Sequence, residues 1–182
     1  MSTFKIHDID SAPKNSQPFL EKSLQNFGMI PNLHGVLAEA PGALEAYQTL
    51  HQLFENSSLN NEELTVVWLT ISVANECHYC VPAHTAIAHM MKVDPLITEA
   101  LRNGTSMPTP KLHALHTMTL SIVQNRGQIT KEELMDFYAA GYEKRQLLEI
   151  ILGVSQKIMS NYLNHIAETP VDAPFQKYAW KK

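Results

Sequence analysis

Cys77 and Cys80 are the only two cysteines of this 182-residue chain, and they stand three positions apart. His84 follows four residues after the second. Two thiols that can pair, next to a base that can deprotonate one of them, are the minimum equipment of a dithiol redox site. On a helix at 100° per residue, His84 lies one turn beyond Cys80, and Cys77 falls roughly 20° off that face. All three side chains then project the same way. His84 is nearer to Cys80, so Cys80 is assigned as the attacking thiolate and Cys77 as the resolving thiol. The reverse order, with the more N-terminal cysteine attacking, stays open.

Pro82 locates the helix that carries them. Proline has no N–H and clashes with the preceding turn, so it is tolerated only in a first turn. A helix over about 78–92 therefore begins at the cysteines. The unpaired N–H groups and positive dipole end of a helix start favour thiolate. Cβ atoms at i and i+3 in a regular helix are about 5–6 Å apart, whereas a disulfide wants about 3.5–4.5 Å. At a fraying first turn the bond can close with some strain, and a strained disulfide is easily reduced again.

The elements around this segment read as helices throughout. Ser16 with Pro18, and Gly28 beyond, bracket a helix over 17–27. Met29 to Asn32 is a turn, with a short segment following to Ala40. Pro41 opens a helix carrying Leu44, Tyr47, Leu50, Leu53 and Phe54 at helical spacing. Asn60 and Glu63 cap the next, which runs to about Ala74. Asp94-Pro95 opens another that ends at Gly104. Thr109-Pro110 opens one that ends at Gly127, and Thr130 with Glu133 forms a capping box for 131–140. The last helix, 143–167, is apolar nearly all round and is expected at the centre. No alternating stretch is long enough to build a sheet. The fold class is all-α: a single helical domain of about eight helices, with an N-terminal extension over 1–58, a cysteine-containing core over 59–167 and an irregular tail over 168–182. Glu63 to His84 can be laid on Lys144 to His165, which suggests an internally duplicated helical hairpin.

Composition narrows the function. The net charge is −4, with 14 basic and 18 acidic residues, so no basic face for nucleic acid is expected. No apolar run approaches the roughly 18 residues of a membrane span. Met1 to Asp8 lacks the apolar stretch of a signal peptide, so a cytoplasmic protein is expected. In a reducing compartment a close cysteine pair is more often catalytic, sensing or metal-binding than a permanent staple. His113 with His116, His165, and His34 beside Gly35 read as solvated, core or turn histidines. Trp68 reads as core, and Met90-Met91 as core or oligomer contact.

Glu76-Cys77-x-Tyr79-Cys80-x-x-x-His84 after an apolar helix resembles the alkyl hydroperoxidase D-like branch of the carboxymuconolactone decarboxylase superfamily. Glu62 to Trp68, Ala74-Asn75 and Asn161 to His165 carry the same resemblance. It implies an all-helical fold assembled as a trimer or a hexamer. It also implies a thiol-dependent peroxidase that reduces hydroperoxides in antioxidant defence, recharged by an external dithiol, with no metal, flavin or haem cofactor. In that scheme the second cysteine attacks with help from the histidine and the first resolves, which places the roles on Cys80, His84 and Cys77. A relay glutamate twelve residues before the first cysteine is missing: Thr65 stands there. Glu62 or Glu63, one turn earlier, are the candidate substitutes, and Glu76 is a further acid nearby. Histidine before the second cysteine is replaced by Tyr79, with His78 shifted by one.

Three alternatives stand beside this reading. One is lactone or decarboxylation chemistry, as the superfamily name implies, which does not need two thiols. A second is a non-catalytic redox sensor. A third is a zinc-binding protein with Cys77, Cys80 and His84 as three ligands and a fourth from His78, His89 or another helix.

Overall fold

Helix ends in this chain sit where side chains or turns can close them. The computed structural model describes residues 4–181; Met1 to Thr3 and Lys182, the ends of the expected segments, lie outside the described residues. The helices are α1 (Gln17–Phe27), α2 (Asn32–Leu37), α3 (Pro41–Glu55), α4 (Asn61–Ala74), α5 (Cys80–Met90), α6 (Pro95–Asn103), α7 (Pro110–Gln124), α8 (Lys131–Ala139) and α9 (Lys144–Ile166), with 3-10 helices at Lys14–Ser16 and Ala173–Tyr178. There is no strand among the described residues, so the all-α expectation holds. Among the described residues nine α-helices stand in place of the expected eight or so, because Asn32 to Leu37 winds into a short helix of its own.

The caps are those the residue types demand. Asn60 and Glu63 exchange side-chain and backbone hydrogen bonds in a capping box, as do Thr130 and Glu133. The Asp94 carboxylate accepts from Leu96 N ahead of α6. α1 and α6 stop at Gly28 and Gly104, both left-handed, a conformation that costs glycine little.

α4 is the central element, contrary to the expectation for α9. Every residue from Glu63 to Ser72 is buried, and α5, α6, α7 and α9 all pack on it. α9 is not apolar all round: the face it buries is largely polar. Its buried residues are Ile150, Gly153, Gln156, Lys157, Ser160, Asn161 and Asn164, while Leu148, Ile151, Tyr162 and Ile166 are exposed. The polar stripe faces α3, α4 and α5 because partners wait there. The duplicated hairpin is also corrected. Glu63 to His84 is two helices broken by a turn, whereas Lys144 to His165 lies within one unbroken 23-residue helix. His165 is exposed rather than packed in the core.

The tail is ordered into a strap. Ala173–Tyr178 packs on α5. Arg102 donates to the carbonyls of Tyr178 and Ala179, at 3.0 and 3.1 Å, and Trp180 Nε1 donates back to the Arg102 carbonyl. The apolar interior has two parts: a large core around α4, α6 and α7, and a smaller one in which Leu20, Leu33, Leu44 and Tyr47 surround Cys77, Tyr79, Cys80 and Ala83. The cysteines therefore sit where the N-terminal helices meet the rest.

α9 approaches α3 and α4 closely at Gly153. A Cβ there would lie 2.8 Å from Phe54 Cε2 and 3.0 Å from Val67 Cγ1. Gly153→Ala is expected to destabilise the fold by about 1–3 kcal/mol through overpacking, despite alanine's better helix propensity. Thermal unfolding should show a drop of about 2–4 °C for each kcal/mol; an unchanged or raised midpoint would show that the helices can part without cost.

Candidate redox site

The turn that delivers Cys77 is a helix stop in which glutamate takes the place usual for glycine. Glu76 is left-handed, with φ 52°. Cys77 N donates to Ser72 O at 2.9 Å and Glu76 N to Val73 O at 3.0 Å, the two bonds of a Schellman motif. Three residues later α5 begins. Its first residue is Cys80, and Cys80 N donates to Cys77 Sγ at 3.4 Å, so the first sulfur caps the helix that carries the second. Both cysteines are reduced and buried.

Cys80 Sγ is surrounded by polar groups of α9. Asn164 Nδ2 donates to it at 3.3 Å, and Ser160 Oγ lies at 3.7 Å. Burial opposes ionisation of Cys80. The hydrogen bond from Cys77, the charge of Lys157, and the Ser160 and Asn164 contacts overcome it and hold the thiol well below its ordinary range. Cys77 is pushed the other way, first by its hydrogen bond to Cys80 and then by burial. The two thiols are thus pushed in opposite directions, Cys80 towards the thiolate and Cys77 towards the thiol.

His84 is not hydrogen-bonded to either sulfur. Its Nε2 faces Lys157 Nζ at 2.8 Å, and its ring lies against Trp68 with centroids 4.7 Å apart. Burial, then the Lys157 and His51 charges, hold its pKa well below the usual histidine value. Lysine has only donors to offer, so Nε2 accepts and the proton sits on Nδ1, which is buried and has no partner. Gln156 organises the opposite wall. Its Oε1 accepts from Trp68 Nε1 at 2.8 Å, and its Nε2 donates to Tyr47 and to His51 Nδ1. His51 Nε2 is then the N–H that meets Glu55, at 3.3 Å. Tyr79, between the cysteines, donates to Asp172 of the strap, and Asp172 also accepts from Asn32 N at 2.9 Å. His78, the other residue between the cysteines, is exposed, with Nδ1 3.3 Å from the Trp180 carbonyl.

Cys80, His84 and Lys157 open on a cavity of about 490 Å³. Its walls are mostly apolar: Phe27, Met29, Leu33, Tyr47, Tyr79, Ile87, Met90 and Phe175. Phe27, His34, His51 and Glu55 also line an adjoining polar cleft of about 340 Å³. The arrangement offers a buried nucleophilic sulfur to an apolar molecule, with N–H donors beside it.

Of the sequence-derived site residues, Cys77, Cys80 and His84 come together; Glu62 and Glu63 do not join them. Glu62 is exposed on a shallow cleft with Asn60 and Lys92. Glu63 is buried, but it closes the α4 capping box and pairs with Lys111 at 3.0 Å. Both acids sit at the start of α4, and no hydrogen bond joins either to Cys77, Cys80 or His84. Glu76 is exposed in its turn. Among the described residues no group of three or more His, Cys, Asp or Glu side chains is placed to hold a metal ion, so the zinc alternative lacks its ligand set. His34 is a buried cavity-wall residue rather than a turn residue, with Nδ1 2.8 Å from Ser23 Oγ. The polar groups that sequence reasoning missed are Lys157, Gln156, Ser160, Asn164, Asp172 and His51. Polar residues at 156, 157, 160, 161 and 164 do recur at helical spacing, and that was the available signal.

Residues 41–116 match the carboxymuconolactone decarboxylase family. The fold of the whole chain matches solved structures over nearly their full length. One is the alkylhydroperoxidase AhpD core, an uncharacterized peroxidase-related protein from Ralstonia eutropha JMP134: TM-score 0.85, 18% identity, 96% of this chain and 94% of that one covered. The match covers the central segment alone, and the chain as a whole has an alkyl hydroperoxidase D-like fold. An uncharacterized peroxidase-related protein from Silicibacter sp. TM1040 is similar at TM-score 0.79 and 19% identity, with 95% and 94% covered. The debrominase Bmp8, a cysteine-to-alanine variant in complex with 2,3,4-tribromopyrrole, is similar at TM-score 0.80 and 16% identity, with 97% and 95% covered. No curated protein matches the chain. Within this alkyl hydroperoxidase D-like fold, the family segment contains Cys77, Cys80, His84 and His51, while Lys157, Asn164 and Asp172 lie beyond it.

The buried histidines set an acid limit. Burial, then His51, lowers His34 to about 3, and His84 is also held well below 6.5. The unfolded chain binds protons on these rings near the ordinary pKa of about 6.5, and the folded chain does not. Their stabilisation is complete above that pH and is lost as pH falls towards the folded values, on the order of 1 kcal/mol per pH unit for each ring. Urea midpoints should fall between about pH 7 and pH 4, and His34→Gln should flatten the fall. A midpoint independent of pH over that range would contradict the buried neutral state.

Proposed function

We propose that the protein is a thiol-dependent oxidoreductase that reduces organic hydroperoxides through Cys80 and Cys77. The observation that carries this reading is the placement of the pair: Cys77 Sγ caps the helix that Cys80 starts, and Cys80, contacted by Asn164 and Ser160, opens on a largely apolar cavity. Cys80 sulfur attacks the O–O bond. An S–O bond forms, the alkoxide leaves and takes a proton, and Cys80 becomes the sulfenic acid. Cys77 sulfur then attacks Cys80 sulfur, closing the disulfide and releasing water. An external dithiol reduces the bond by exchange, which requires a reducing compartment such as the cytoplasm. Helix dipole and hydrogen bonds supply the stabilised thiolate without a metal or organic cofactor in this scheme.

The outward apolar residues of α9, Leu148, Ile151, Tyr162 and Ile166, favour a homo-oligomer, in line with the trimer or hexamer that the resemblance implies. No helix among the described residues is long and apolar enough to cross a membrane.

A second reading uses the same sulfur. The likeness to a debrominase in complex with a brominated pyrrole and the aromatic walls of the cavity favour reductive removal of halide from a small aromatic ring. The halide departs as the anion, the ring carbon gains hydrogen, and the two thiols become the disulfide.

Cys80→Ser is expected to abolish hydroperoxide consumption in a dithiol-coupled assay. Cys77→Ser should allow one turnover and leave a sulfenic acid that dimedone traps at Cys80, located by mass spectrometry. Both single variants consuming peroxide at the parent rate would end this reading, and halide release with no peroxide consumption would favour the second.

A further inference from the structure

Lys157 is fully buried, at 0% exposure, in the middle of α9. A buried ammonium requires a compensating negative charge nearby. The ion pairs of the described residues include none to Lys157. Its hydrogen-bond partner is His84 Nε2, a neutral acceptor. The titratable groups facing this corner come from every element around it. α3 supplies Tyr47, His51 and Glu55, α2 supplies His34, and the turn before α5 supplies Cys77 and Tyr79. The strap supplies Asp172. Both carboxylates are engaged elsewhere: Glu55 with His51 and Asp172 with Tyr79. Cys80 shares the cavity wall with Lys157, whose charge favours its ionised form.

We infer that Lys157, rather than His84, is the counter-charge of the Cys80 thiolate and the general acid of the reaction, with His84 a neutral ring that orients Lys157 and offers its free Nδ1–H to the substrate. The inference rests on the proposed peroxide chemistry for its acid role and on the buried charge alone for its pairing role. The proton balance closes over one cycle. Cys80–S⁻ attacks R–O–O–H: the S–O bond forms, the O–O bond breaks, and the departing alkoxide takes a proton from Lys157, leaving a neutral amine and Cys80–SOH. The amine takes the proton of Cys77–SH. The Cys77 thiolate forms the disulfide, and the expelled hydroxide takes that proton and leaves as water. The external dithiol then delivers two electrons and two protons. One proton stays on Cys77, and the other passes from Cys80 to Lys157, restoring the ion pair. The Nδ1 of His84, buried and without a partner, points to an acceptor supplied by the substrate, since an unmet buried N–H is costly. The oxygen of a hydroperoxide supplies one.

The test compares Lys157→Met and His84→Gln with the parent. Iodoacetamide alkylation of Cys80 is followed against pH in each protein by mass spectrometry, and single-turnover reduction of cumene hydroperoxide is measured in parallel. Lys157→Met should move the alkylation midpoint up by at least one pH unit, towards the ordinary thiol value of about 8.5, and slow the turnover at least tenfold. His84→Gln should leave the midpoint near the parent's. An upward shift in His84→Gln with none in Lys157→Met would overturn the assignment and restore His84 as the base. A parent that alkylates as a thiolate but never consumes hydroperoxide would sink the peroxidase reading while leaving the pairing standing. Thermal midpoints read the pairing without activity. Cys80→Ser should cost more in the presence of Lys157 than in the Lys157→Met background, because serine leaves the ammonium unbalanced. Equal costs would show that no ion pair exists.

Discussion

A stripe of polar side chains buried inside an apolar bundle is the constraint on which this structure turns. Gln156, Lys157, Ser160, Asn161 and Asn164 all face inward from α9. An amide or ammonium taken out of water without a partner costs several kcal/mol, so each of these groups dictates what must lie across from it. Gln156 gathers Trp68, Tyr47 and His51. Asn161 holds Asn75 at the end of α4. Ser160 and Asn164 contact Cys80, and Lys157 meets His84. The packing of α9 on α3, α4 and α5 and the assembly of the redox site are therefore one set of interactions. The same constraint leaves Leu148, Ile151, Tyr162 and Ile166 on the outer face of α9.

The second organising feature is the strap. Both residues between the cysteines reach it: Tyr79 through Asp172 and His78 through the Trp180 carbonyl. Asp172 also closes the start of α2 by accepting from Asn32 N. The cysteine turn, the short helix α2 and the C-terminal segment are thus fixed to one carboxylate. Phe175, from the same segment, forms part of the cavity wall. The nucleophile is consequently reached through an apolar chamber with walls from both ends of the chain, which excludes bulk water from the sulfur and strengthens every charge interaction around it.

Local rules made much of this visible in the sequence, and tertiary pairing hid the rest. Proline, glycine and capping boxes marked the ends of α1, α3, α4, α6, α7 and α8 within a few residues, because those signals act over a single turn. The Cys77–Cys80–His84 spacing placed these side chains in one corner for the same reason. α9 was misread because its apolar residues are spread around most of the helix. That spread favoured a central helix, while the spacing of 156, 157, 160, 161 and 164 marked a polar face that only partners on other helices could bury. Glu62 and Glu63 were offered through the resemblance as substitutes for the relay acid missing at Thr65; they stand in the first turn of α4. Asp172 and Phe175 had no periodicity to announce them; their role comes from where the tail lands.

The account as a whole depends on Cys80 being a thiolate in the resting, reduced protein. Ultraviolet thiolate absorbance of the reduced chain, titrated downward in pH, measures this directly. One thiolate per chain should persist from alkaline pH through neutrality, survive in Cys77→Ser and vanish in Cys80→Ser. Absorbance that appears only as pH climbs to the ordinary thiol value of about 8.5, for both sulfurs alike, would contradict it.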